Sequence, residues 1–199
     1  MTKPTPETPE IEPLTRIQVL VAMGVTAVIL LLVAKLWQRL GDVTMLPIVW
    51  SSEALLQGLA IAVLISAASS LIYRLWGAYR RSADFYLQMV LKPLVWLDFI
   101  WLGLLPGMSE ELLFRGVMLP ALGLNATGLI VSSLLFGVLH LSGSQQWAYV
   151  VWASLIGLLL GFSAVATGNL LVPIIAHIVT NLISSCLWKL GDKPTQGLT

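Results

Sequence analysis

Apolar residues run almost without interruption over 17–37, 54–76, 98–122, 127–145, 147–166 and 170–188, separated by shorter stretches that carry Gly, Pro and charge. A helix that crosses a bilayer needs about 20 such residues, so each run predicts a membrane span. The expected fold is all-α, a polytopic transmembrane helix bundle of about six spans. Pro106-Gly107 lies inside the third run, and a break there that turned the chain makes seven.

The residues between the runs refine this picture. Segment 82–96 mixes Asp84, Gln88 and Lys92 with Phe85, Tyr86 and Trp96, as suits a helix lying along the headgroups. Ser51 or Ser52 and Asn125 stand where helix N-caps are expected, and Gly157-x-x-x-Gly161 has the spacing that lets helices approach closely in lipid. Residues 1–15, with Pro4, Pro6, Pro9 and Pro13 among Thr and Glu, are expected to be a disordered tail, leaving 16–199 as a single membrane domain. With six spans, Lys3, Arg16, Arg74, Arg80, Arg81, Lys92, Lys189 and Lys193 share one side, against Lys35 and Arg39 on the other. The positive-inside rule then puts both termini in the cytoplasm of an integral protein of the plasma (inner) membrane.

Composition excludes several classes. The chain is 57% hydrophobic and 11% charged with a net charge of +1, so it has no basic footprint for nucleic acid. The one cysteine, Cys186, has no partner for a disulfide and no zinc-ligand pattern around it.

Against this apolar background Glu110, Glu111 and Arg115 stand out, because ionisable groups within a span face the protein interior and need partners. The two histidines, His140 and His177, and Asn181 lie in later apolar runs. At 1.5 Å per residue, Glu110 sits about 18 Å into its span, His140 about 20 Å, and His177 and Asn181 about 12 and 18 Å. All four share one broad layer and can meet in a single cavity. Glu111 and Arg115 are spaced i,i+4 with the acid first, which pairs them on one face, whereas Glu110 is rotated by about 100° and has no local cation. Glu111 is thus the held carboxylate and Glu110 the available base. Phe136 and His140 share a face by the same rule, as do His177 and Asn181. One Glu-Arg pair in an apolar helix is often structural, and a lone histidine is more often a bonded core residue. The second carboxylate beside the pair, with both histidines at matching depth, favours a site.

In that order on successive spans, Glu110-Glu111-x-x-x-Arg115, Phe136-x-x-x-His140 and His177-x-x-x-Asn181 resemble the CPBP family, the CAAX proteases and bacteriocin-processing proteins also called Abi. The resemblance covers about residues 95–190 and implies a catalytic core of four helices in an intramembrane endopeptidase. It also implies that Glu110 and His140 activate water, that His177 and Asn181 form the oxyanion site, and that Glu111 and Arg115 support them. Its substrates are membrane-associated proteins or peptides in the lipid bilayer. No cofactor is expected. Glutamate with two histidines is a possible zinc set, but His-Glu-x-x-His is absent, and metal-free water activation is preferred. The alternatives are a proton-coupled transporter, against which stands the lack of paired halves, and a non-catalytic membrane partner.

Overall fold

The computed structural model describes residues 14–191, the side chain of Ser144 excepted. The expected disordered tail falls, except for its last two residues, outside the described residues. Eight α-helical segments follow in order: α1 (Arg16–Leu40), α2 (Ser52–Leu75), α3 (Gly77–Leu91), α4 (Asp98–Glu111), α5 (Leu119–Leu122), α6 (Ala126–Val138), α7 (Trp147–Thr167) and α8 (Leu171–Gly191). A π-helical stretch, Leu112–Met118, joins α4 to α5, so the backbone stays helical over 98–122. The protein is an all-α polytopic membrane bundle. Of its helices, α1, α2, α7 and α8 are each long and apolar enough to cross a membrane, and 98–122 forms a fifth run of comparable length.

Caps and glycines account for several of these elements. Thr15 closes a capping box with Gln18, Ser51 accepts from the Ala54 N–H, and Asn125 from the Gly128 N–H. Gly157 and Gly161 let α7 lie directly on α6: a Cβ at Gly161 would come within 2.5 Å of Leu129, and one at Gly157 within 3.2 Å of the Ser133 backbone. Gly103 and Gly107 do the same for α4 against α8, where a Cβ at Gly107 would meet Ile178 at 2.5 Å.

Two prolines leave carbonyls without their helical N–H, and each carbonyl faces a new donor. Pro106 does not break α4, which excludes the turn that a seventh span requires. The carbonyl it frees, that of Leu102, faces the Asn181 Nδ2 at 3.5 Å. Pro120 likewise frees the Gly116 carbonyl, which accepts from the Leu46 N–H at 3.3 Å. This second bond ties the extended loop before α2 over one end of the bundle. Asn169 fixes the same loop by donating to Val49 O and accepting from Val49 N.

At the opposite end Arg16 makes a two-pronged ion pair with the buried Asp98, both contacts 2.7 Å, and Lys189 donates to the Leu94 carbonyl. The starts of α1 and α4 and the end of α8 therefore lie together. Both this end and the looped end are pinned by polar contacts between elements distant in sequence.

One span and the segment 82–96 differ from expectation. The run 127–145 is not one helix, since α6 ends at Val138 and at about 20 Å falls short of a 30 Å hydrocarbon core. The cause is His140, whose Nδ1 lies 2.8 Å from the Phe136 carbonyl while its backbone N–H turns to Gly137 O. The side chain takes the acceptor that another helical turn would have used. Segment 82–96 is also not one element: α3 starts earlier, at Gly77, and ends at Leu91 before the turn that leads into α4. It covers the interior cavity rather than only lying against headgroups, with Tyr79, Ser82 and Ala83 buried.

Candidate active site

The end of α4, the end of α6, α7 and the middle of α8 surround a cavity of about 170 Å³, which α3 closes from one side. Glu110, His140, His177 and Asn181 all line it. Glu111 and Arg115 lie directly behind, fully buried.

The glutamates divide as their helical phase predicts. Arg115 Nη1 donates to Glu111 Oε1 at 2.7 Å, and its Nη2 donates to the Gly157 carbonyl at 3.0 Å. The guanidinium also lies 4.3 Å from the Phe136 ring centroid, a cation–π contact inside the bundle. Glu110 projects into the cavity instead. Its Oε2 lies 3.8 Å from His140 Nε2, beyond hydrogen-bond reach, and among the described residues it has no hydrogen-bond partner.

Each histidine is held by Nδ1. In His140 that nitrogen donates to the Phe136 carbonyl, which directs Nε2 towards Glu110. In His177 it donates to Glu111 Oε1 at 2.8 Å. This second bond was not legible in the sequence, where Glu111 was matched only to Arg115. Nothing in helical periodicity says which residue of α8 lies opposite Glu111.

Asn181, one turn beyond His177, faces the Leu102 carbonyl, so its amide is oriented with a second N–H left for the cavity. The π-helical stretch begins at the residue after Glu111, and such widened turns are frequent at functional sites. The widening runs up to Pro120: the Leu119 N–H bonds back five residues to the Phe114 carbonyl, and Pro120 has no N–H of its own to donate.

Aromatic residues complete the wall, and these the sequence reading did not single out. Tyr86 and Tyr149 stack with centroids 5.0 Å apart, Tyr79 stacks on Tyr149 at 6.2 Å, and the His140 ring is 6.0 Å from Tyr149. Tyr79 and Tyr86 are two helical turns apart on α3, a spacing that could have signalled a common face. Burial pushes the Tyr86 hydroxyl up to about 12, with the Glu110 carboxylate adding to the shift, so the phenol stays protonated beside the glutamate. Among the described residues no group of three or more His, Cys, Asp or Glu side chains is disposed to hold a metal ion.

Residues 92–183, which include Glu110, Glu111, Arg115, His140, His177 and Asn181, match the family model described as Type II CAAX prenyl endopeptidase Rce1-like. The match covers a little under half of the chain, which is similar to that family over this segment. The match agrees with the resemblance of the three motifs to the CPBP intramembrane endopeptidases. The chain is also similar to Uncharacterized protein YpbD of Bacillus subtilis (strain 168), with 29% identity over 154 residues, covering 77% of this chain and 74% of that protein. No solved structure matches. The Rce1-like segment begins at the turn before α4 and ends within α8, so α1, α2 and α3 lie outside it.

Proposed function

We propose that the chain is a glutamate-dependent intramembrane endopeptidase in which Glu110 and His140 activate water directly. The supporting observation is the 3.8 Å separation of Glu110 Oε2 and His140 Nε2. A water oxygen about 2.8 Å from each fits between them. Since His140 Nδ1 is committed as a donor, neutral Nε2 is an acceptor, and the carboxylate is another. Such a water directs both protons at the protein and leaves its lone pairs free for attack.

The chemistry then balances with this chain's own groups. Glu110 takes a proton as the water oxygen bonds to the carbonyl carbon, and the carbonyl oxygen becomes an oxyanion. His177 and Asn181, both lining the same cavity, supply the donors for it. With Nδ1–H given to Glu111, His177 Nε2 donates in the imidazolium form, beside the Glu111 carboxylate. Collapse of the intermediate breaks the C–N bond, and the proton on Glu110 passes to the leaving amine. Arg115 and Glu111 hold His177 and take no proton themselves.

The same reading places the protein in the plasma membrane with both termini in the cytoplasm, uses no resident cofactor, and takes a membrane-associated protein or peptide as substrate. It also treats 16–199 as one membrane domain. The test is hydrolysis of membrane-anchored peptides by purified protein in detergent or nanodiscs, with Glu110→Gln as the control. Cleavage that depends on Glu110 supports the reading. Equal turnover by the two proteins overturns it.

A further inference from the structure

Tyr86 stands on α3 and borders the same cavity as Glu110. Its ring lies against Tyr149 of α7, centroids 5.0 Å apart and planes 24° apart, and Tyr149 is stacked in turn on Tyr79, centroids 6.2 Å apart with planes at 2°. Rings from two helices therefore hold the Tyr86 side chain in place without any use of its hydroxyl.

That hydroxyl is left over. Other polar side chains of the same wall are matched within the protein, Trp152 Nε1 donating to Ser69 Oγ at 3.1 Å and Ser185 Oγ to the Asn181 carbonyl at 2.6 Å. The Tyr73 hydroxyl, outside this cavity, donates to Asp84 at 2.6 Å. Among the described residues no side chain accepts from the Tyr86 hydroxyl. Burial, with the Glu110 carboxylate adding to it, keeps the phenol protonated, so it is a donor, and Glu110 is the charged group close enough to act on it. A donor shut away from bulk water costs free energy unless something accepts from it. Glu110 Oε2 is likewise without a partner among the described residues. Two polar groups, one on α3 and one on α4, are thus open to whatever the cavity holds.

We propose that Tyr86 is a substrate-binding residue whose hydroxyl donates to a main-chain carbonyl next to the scissile bond and so holds the peptide against Glu110. It rests on the peptidase reading above and deepens it. A main-chain carbonyl is an acceptor that every peptide carries, so the contact fixes the position of the chain and makes no choice of side chain. His177 and Asn181 meet the substrate from α8 and Tyr86 meets it from α3, so the peptide is gripped by two elements. The contact also gives α3, outside the Rce1-like segment, a part in substrate binding.

The test is a cycle between enzyme and substrate, with one membrane-anchored peptide in phosphatidylcholine nanodiscs. Two analogues replace the amide on one or the other side of the scissile bond by a trans-alkene, which keeps the shape and removes the carbonyl. Tyr86→Phe keeps the ring stack and loses the donor. It should lower kcat/KM for the parent peptide by about 10-fold, mostly through KM, and should match wild type on one of the two analogues. Its melting temperature should equal or exceed that of wild type, because no hydrogen bond within the protein is lost, whereas Tyr86→Leu, which breaks the stack, should melt lower. Parent peptide cleaved equally by wild type and Tyr86→Phe, or all three peptides slowed alike, overturns the proposal. So does a fall in melting temperature for Tyr86→Phe that accounts for the lost activity, which means the hydroxyl serves the fold.

Binding separates this contact from the peptidase reading. Fluorescence anisotropy of the parent peptide should show about 10-fold weaker binding to the Glu110→Gln, Tyr86→Phe protein than to Glu110→Gln alone. If that difference is found while wild type cleaves no peptide, the contact stands and the peptidase reading falls. If cleavage depends on Glu110 but neither binding nor turnover depends on the Tyr86 hydroxyl, the contact alone falls.

Discussion

Glu111 on α4 and His177 on α8 are joined by a 2.8 Å hydrogen bond inside the bundle, between residues 66 positions apart. The same oxygen, Oε1, accepts from Arg115, so one carboxylate fixes both a cation and an imidazole. Its loss strands both partners.

Glu111→Gln should therefore destabilise the protein by about 3–5 kcal/mol, the range for breaking a buried ion pair by removing one partner. Glu110→Gln, which removes no protein hydrogen bond, should leave the melting temperature close to wild type while abolishing hydrolysis. Thermal melts in detergent beside the peptide assay check both. Equal stability losses, with activity surviving in Glu110→Gln, count against the division of roles.

Asn181→Ala should lower turnover by about 100- to 1,000-fold with little change in KM, as expected for an oxyanion donor. Asn181 also faces the carbonyl freed by Pro106, so a moderate stability loss is expected as well. Steady-state kinetics and a melt on the same sample separate the two effects. A near-normal kcat removes Asn181 from the oxyanion site.

Gly107→Val tests whether the contact of α4 with α8 sets the geometry. Its Cβ alone would meet Ile178 Cγ1 at 2.5 Å and the Ile178 backbone N at 3.1 Å, so the helices must separate. Overpacking of this kind costs about 1–3 kcal/mol. Because Ile178 adjoins His177, activity should fall by more than the folded fraction does, which a melt and an active-site titration report together.

For the direct mechanism, strong chelators should leave turnover intact, and purified protein should carry far less than one zinc per chain. Stoichiometric zinc that tracks activity through chelation and re-addition would require Glu110, His140 or His177 to act as ligands instead.

Reporter fusions at residue 1, within residues 41–50 and at residue 199 should report cytoplasm, outside and cytoplasm. Opposite answers from the two ends are incompatible with the proposed orientation.

The sequence by itself determined the class of the fold, because apolar runs of bilayer length have few other uses. It also determined that Glu110 and Glu111 occupy different faces, since a rotation of about 100° per residue is a local property of any helix. The Gly157 and Gly161 contact and the Asn125 cap were legible for the same reason: each depends on neighbours within a few residues or on a backbone left bare. What the tertiary structure decided is everything that depends on which residue stands opposite another. The early end of α6 follows from the His140 imidazole taking the Phe136 carbonyl, a choice that an apolar run does not encode. The continuity of α4 through Pro106 and the π-helical widening before Pro120 are supported from outside their own helix, by Asn181 and by Leu46. The bond from His177 to Glu111 and the closing of the cavity by Tyr79 and Tyr86 require α8 and α3 to be docked. Periodicity fixes the face a residue occupies along one helix, while the axial offset and rotation between helices come from side-chain packing summed over the whole bundle.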